Sequence, residues 1–336
     1  MKLRRVILMT LSIALGLVLL GLLIRFGKIN LSVTLRQLQS VSWTAFAELV
    51  LLTGLHVYLS NQKWRTIDAV LRGPSDVVPS ASFSFVLTSA GVAFGQILPV
   101  QLSMAGVRTL GTYFHGKPVK RGTIGTFFEQ SFDVIVVLFL AVASLAVKFF
   151  KTGAVGWLLS ATIMVALAFL TVDFFVRFMN RLASACNCGE KAPQTRRAAI
   201  LQKFSEMRQC GLLQVGLARR LLLLSTLRFV IQVLMAKVTT EAIGVQIPIW
   251  QLAAAIPFVV IACVIAVTPG GLGVNELSYA TALNLFGTPL SVGAQWAFAN
   301  RIMVAASCAT VAIFAIALLL VEKLLVSART RAIQES

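Results

Sequence analysis

Charge is what this sequence has least of. Asp, Glu, Lys and Arg make up 12% of its 336 residues, about half the roughly 25% usual in a soluble domain. That excludes an ordinary water-soluble globule. The acids are the scarcer sign, with 12 against 30 Lys and Arg, and the formal net charge is +18. Other signatures are missing too. The five cysteines, which include Cys186, Cys188, Cys263 and Cys308, lack the paired spacing of a zinc site, so free reduced thiols are expected. No cluster of His, Asp and Glu suggests a metal. No Gly-x-x-x-x-Gly-Lys loop is present to bind nucleotide phosphates, and no Asp-x-Asp pair to hold a metal–nucleotide sugar. The chain is therefore expected to work without metal, cofactor or ATP. A basic excess of this size points to nucleic acid in a soluble protein, but no folded basic module is visible here.

What the chain does have is apolar length. Apolar residues make up 58% and mean hydropathy is +0.87. Runs near or beyond the roughly 20 residues that cross a hydrocarbon core recur along it. The expectation is an all-α polytopic membrane protein. Full spans are read at Val6–Ile24, Trp43–Gln62, Gly122–Val147, Val155–Phe178, Leu221–Ile243 and Ser291–Val321. The first, after a basic start and without a convincing cleavage site, reads as a retained span and not a signal peptide. Trp43 and Trp64 read as interfacial anchors. His56, alone in the second span, reads as a packed, hydrogen-bonded histidine.

Two apolar elements are too short to cross. Phe83–Ile97 is about 22 Å long at 1.5 Å per residue, against about 30 Å of hydrocarbon, and it ends at Leu98-Pro99. Leu252–Thr268 stops at "PGGLG", and Val274–Phe286 follows as another short helix. Lys and Arg cluster in blocks between spans. Placing the N-terminus in the cytoplasm, with both broken elements as hairpins, gathers most of the basic blocks on the inner side, as the positive-inside bias requires. The layout becomes six full spans plus two re-entrant hairpins. The first repeat is about 1–150 and the second about 151–336, with inverted topology. A basic cytoplasmic loop, 179–220, lies within the second. That loop reads either as a basic amphipathic helix on anionic headgroups or as a solvated topology signal. Inverted repeats with broken helices near the midplane mark a transporter architecture.

"AVTPGGLGVNEL", Ala266 to Leu277, is the least lipid-compatible stretch. Irregular backbone at membrane depth must be buried in protein or line a wet cavity. Pro269 stops one helix. Gly270, Gly271 and Gly273 allow positive φ and close approach. The next helix directs its free N–H groups toward an anion such as phosphate. A tight structural turn is the alternative. Glu276, in the first turn of that helix, either caps it or gates access. Intramembrane charges come next, because each costs about 2.5–3.5 kcal/mol on insertion scales and calls for a partner or a cavity. Glu129 and Asp133 share a helix face. Arg301 follows Pro269 by 32 residues much as Glu129 follows Pro99 by 30. The hairpin tips are therefore expected to approach each other, with Glu129 or Asp133 facing Arg301 and Arg228 joining them. Arg108 is expected to meet a lipid phosphate from the cytoplasmic side or to serve as an interfacial topology charge.

"TPGGLGVNELSYATALNLFGTPLSVGAQWAFANRI" resembles the signature of the lysylphosphatidylglycerol synthase transmembrane-region, or flippase-like, family. The match rests on Pro269, Gly270, Gly271, Leu272, Gly273, Glu276 and Arg301. "QKWR", "ILPVQLSMAGVRTL" and "FFEQSFDVIVV", with Glu129 and Asp133, resemble its other motifs, although the family's Gly-Gly pair is replaced by Met104 and Ala105 beside Gly106. The resemblance implies a single flippase-like domain over 1–336. It also implies movement of anionic or polyprenyl-linked lipids between leaflets, expected in a bacterial or archaeal cytoplasmic membrane; the distribution of basic residues puts both termini inside. The bifunctional members carry a soluble aminoacyl-transfer domain after the membrane part. This chain runs to Ser336 and is expected to lack that activity. An intramembrane enzyme of lipid-linked sugar chemistry, or a scaffold for a biosynthetic enzyme partner, are the competing classes. Oligomerisation is left open.

Overall fold

The computed structural model describes residues 14–335 except 20, 23–24, 26–30, 72–78, 115–118, 186–209 and 266–267. More than half of the expected first span, with residues 14–19 and 21–22 described as helical, and most of the basic loop, with its proposed amphipathic helix, lie outside the described residues. Everything regular that is described is helical. The helices are α1 (Leu31–Gln39), α2 (Trp43–Val70), α3 (Ala81–Phe94), α4 (Val100–Phe114), α5 (Val119–Phe150), α6 (Gly153–Ala185), α7 (Val215–Ala242), α8 (Ile249–Ile265), α9 (Val274–Leu285) and α10 (Leu290–Glu335). Five of them hold stretches long and apolar enough to cross a bilayer: Trp43–Val70, Gly122–Phe150, Gly153–Arg181, Val215–Ala242 and Leu290–Ser327.

Local chemistry sets the boundaries. Ser42 caps α2 by accepting from Ala45 N–H at 3.2 Å, and Ser80 caps α3 by accepting from Phe83 N–H at 3.1 Å. Each such cap satisfies one of the unpaired amides at a helix start. Pro99 has no amide hydrogen to continue α3, so the chain turns over 95–98 and restarts at Val100. The second break is a single 3-10 turn, Pro269–Gly271, between α8 and α9.

Both broken elements fold back on themselves. In the first, Ser103 Oγ donates to Gly91 O at 2.9 Å. A methyl on Gly91 would lie 2.6 Å from Met104 Sδ, and one on Gly111 2.3 Å from Leu87 Cδ1. Position 91 therefore faces 104 while 87 faces 111, an antiparallel pair in close contact. In the second, Thr288 Oγ1 donates to Gln251 Oε1 at 2.6 Å beyond the far end of α9. The Phe258 and Phe286 rings sit 6.1 Å apart, and Gly271 faces Cys263 at the tip. Along α8, Ala253, Ala254 and Ala255 are buried, and their small side chains admit close neighbours.

The packing repeats. α4 lies on α5 and α9 lies on α10, so the returning arm of each hairpin rests on the long helix that follows it. The first arms cross over: α3 packs on α10 and α8 packs on α5. The centre of the arrangement is the α2–α7 contact. The outer faces are apolar, with Phe174 and Leu170 on α6 and Ile313 and Leu324 on α10 strongly exposed. Lipid tails are the medium that suits such faces.

Candidate functional site

The polar groups of the interior fall into two clusters. The first sits where α2, α4, α5 and α7 converge. Along α2, His56, Ser60, Lys63 and Ile67 recur at spacings of four, three and four, so they share one face. Lys63 is completely buried; its Nζ donates to Asp133 Oδ1 at 2.6 Å and stands 3.9 Å from Glu129 Oε1. Glu129 is also buried. It is paired with Arg108 and accepts from Ser60 Oγ at 2.8 Å. Arg108 lies 5.0 Å over the Trp64 ring. Its second terminal nitrogen donates to Ser60 Oγ at 3.2 Å and Thr88 Oγ1 at 3.3 Å. Asp133 is paired with Arg228, whose Nη2 contacts His56 Nε2 at 2.9 Å. Charges thus alternate through Arg108, Glu129, Lys63, Asp133 and Arg228. Three cations meet two carboxylates, so these five side chains together carry a net charge of +1.

The second cluster is where the hairpin tips meet. Gly270 has φ 57°, Gly271 68° and Gly273 76°, the left-handed region that side chains disfavour. At Gly270 the fit is tightest: a methyl there would lie 2.3 Å from Gln96 O of the first hairpin's turn and 2.7 Å from Arg301 Nη2. Arg301 reaches from α10 between the tips. Its Nη1 donates to Gly270 O at 2.7 Å and its Nη2 to Gln96 O at 2.6 Å. One guanidinium therefore joins both turns, which suits its planar fork of donors. Glu276 is buried, 3.7 Å from Arg301 Nε, and accepts from Gly273 N–H at 2.8 Å.

Several expectations need correcting. Arg301 pairs with neither Glu129 nor Asp133; its carboxylate neighbour is Glu276, and both acids of α5 are taken by cations from α2, α4 and α7. Arg228 does join Asp133, but in the first cluster and not beside Arg301. Arg108 is not an interfacial charge: it is wholly buried against Glu129. Trp64 is not an interfacial anchor either, being 3% exposed beneath Arg108. The reason is shared. Span two does not end at Gln62 but runs on as α2 to Val70, carrying "KW" into the interior. The space before Gly270 is filled by the first hairpin's turn. Glu276 holds the Gly273 amide that had been assigned to an anion. Glu276 does cap its helix, and its contact with Arg301 leaves a second role compatible.

Lys63 was missed, along with Ser60 and Thr88, which accept from Arg108, and the carbonyl of Gln96. For Lys63 a signal existed: carrying the helical period of span two one turn further places it on the His56–Ser60 face. For a backbone carbonyl no sequence signal exists. Among the described residues no group of three or more His, Cys, Asp or Glu could hold a metal ion.

Comparison with known proteins adds one match. Residues 9–312 fit the family described as Lysylphosphatidylglycerol synthase TM region. No curated protein matches the chain.

Proposed function

Because the chain belongs to the lysylphosphatidylglycerol synthase transmembrane-region family, a membrane domain associated with lipid handling, we propose that it moves lipids between leaflets without ATP. The cargo class is an anionic phospholipid or a lipid-linked glycan. The observation that carries this is the tip-to-tip contact of two helical hairpins, bridged by Arg301, in a molecule that also holds an alternating, largely enclosed series of five charges. Broken helices meeting at mid-bilayer are the arrangement in which a polar headgroup finds partners inside the membrane while its tails remain in lipid. On this reading both hairpins are re-entrant, the first from the cytoplasmic side and the second from outside. Six full spans frame them, and both termini are cytoplasmic. The repeated packing of α3/α4 on α10 and α5, and of α8/α9 on α5 and α10, supports an inverted repeat.

The deciding experiment is dithionite quenching of fluorescent phosphatidylglycerol in vesicles holding the purified chain. Protein-dependent exposure of inner-leaflet lipid is expected without nucleotide. Failure to move both phosphatidylglycerol and a polyprenyl-phosphate probe would favour an accessory scaffold or an intramembrane enzyme of glycolipid synthesis.

A further inference from the structure

Part of the first apolar run lies against the tip of the second hairpin. Residues 14–19 and 21–22 are helical, and among them Gly16 alone is buried. A methyl on Gly16 would stand 3.1 Å from Leu272 O, 3.4 Å from Leu272 Cβ and 3.5 Å from Leu272 Cδ2. Leu272 follows the 3-10 turn and precedes Gly273, the N-cap of α9. The N-terminal helix therefore rests its backbone on the irregular segment of the tip, and the missing side chain lets it come so close. Gly16 is also near the middle of the apolar run Val6–Ile24, the depth expected of a re-entrant tip.

The contact is narrow. Leu15, Leu17, Val18 and Leu22 are exposed, and a methyl on Gly21 would meet nothing among the described residues within 4 Å. The next helix, by contrast, is fastened. Gln37 Oε1 on α1 accepts from Gln295 Nε2 on α10 at 2.6 Å, and Thr34 is fully buried. In lipid no hydrophobic force holds helices together, and association rests on packing. A helix seated through one glycine gives up little packing when it lifts. What it covers is irregular backbone, which lipid does not tolerate. A headgroup whose tails stay in the bilayer must reach the tips from the side, past whatever lies between them and lipid.

We propose that the N-terminal helix is a lateral gate. Seated on Leu272, it seals the second hairpin's tip from the bilayer; lifted away, it opens a side entrance for a lipid headgroup. Its role is distinct from that of Arg301, which holds the two tips to each other. The inference rests on the lipid-movement reading, which requires such an entrance.

The test locks the gate. In a cysteine-free background, Gly16→Cys and Leu272→Cys are combined; the 3.4 Å between their β-carbons is close to the separation of about 3.5–4.5 Å in a disulfide. Copper phenanthroline with oxygen takes the two thiol hydrogens and forms the S–S bond, which mass spectrometry confirms. Movement of short-chain fluorescent phosphatidylglycerol in vesicles is read by extraction to albumin, because dithionite would reduce the bond. The oxidised protein is expected to drop to the protein-free rate and to recover with dithiothreitol. Failure of the disulfide to form, or an oxidised protein that moves lipid as fast as the reduced one, overturns the proposal. A second variant, Gly16→Leu, wedges the helix off the Leu272 carbonyl and decides the matter if the double variant is inactive in both forms. It is expected to move lipid faster than the parent, and a rate equal to or below the parent's overturns the gate. The parent is measured alongside: no movement there counts against the functional reading, whereas parent movement with no response to the lock or the wedge counts against the gate alone.

Discussion

At the scale of single residues, the alternation of charge makes substitutions unequal. Glu129 stands between Arg108 and Lys63, so Glu129→Gln leaves a buried surplus of two positive charges with Arg108 unpaired. Breaking a buried pair costs about 3–5 kcal/mol, and the variant is expected to melt well below the parent in detergent. Lys63→Met removes more atoms yet leaves two matched pairs and no net charge. Its melting temperature is expected to fall less than that of Glu129→Gln; a reversed order would contradict the alternating network. The tip glycines differ in the same way. Gly270→Ala meets both a left-handed φ, worth about 1–2 kcal/mol, and the Gln96 carbonyl. Gly271→Ala meets the φ alone, since the nearest atom to its methyl is Cys263 Sγ at 3.5 Å. Lipid movement and thermal stability are both expected to suffer more in the first. The value of these positions was legible in the sequence, because Pro-Gly-Gly inside apolar sequence has few explanations. The partners of the long side chains were not. Arg and Lys reach several ångströms from their helices, and which carboxylate they meet depends on how helices cross.

At the scale of elements, the two hairpins are joined at their tips by one side chain. Arg301→Gln keeps a polar group but cannot serve Gln96 O and Gly270 O together. Spin labels at Ile97 and Ile265, both highly exposed beside the tips, are expected to give a longer and broader distance distribution in Arg301→Gln than in the parent. An unchanged distribution would mean that the tips are held by other contacts. The breaks themselves were readable, since Pro99 and Pro269 interrupt runs too short to cross. The length of α2 was not. "QKWR" carries two cations and looks like the end of a span, whereas pairing with Asp133 and Glu129 lets Lys63 stay inside. Likewise, the small residues of "SMAGVRTLGTY" form no apolar run that would mark a helix, yet the stretch is the body of α4, where small size lets α3 and α4 touch.

At the scale of the whole molecule, the layout is open to labelling. In a cysteine-free background, single cysteines at exposed Lys151 and Gly244 are expected to react with an impermeant maleimide added outside intact cells, and one at exposed Gln214 only after the cells are opened. External labelling at Gln214 would reject the inverted arrangement. Hydropathy made the long helices legible, and basic blocks suggested their direction. The crossing of each first arm to the opposite half's long helix was not legible, because nothing in local sequence records contacts between halves.

The ion pairs of the two halves are opposite in sign. In the first half the returning arm carries the cation, Arg108, and the following long helix the acid, Glu129. In the second the returning arm carries the acid, Glu276, and the long helix the cation, Arg301. On the proposed topology, in which the first hairpin enters from the cytoplasm and the second from outside, a resting voltage acts on them in opposite directions. An inside-negative potential draws Arg108 inward and Glu276 outward, so each hairpin is pulled back toward its own face and away from the other. A full charge crossing 100 mV is worth about 2.3 kcal/mol, and a partial displacement some fraction of that. Imposing an inside-negative diffusion potential on vesicles with the protein oriented as in cells is therefore expected to speed lipid movement, and reversing its sign to slow it. The contact between the tips would then work as an electrical gate, held shut by one arginine and loosened by the field across the membrane.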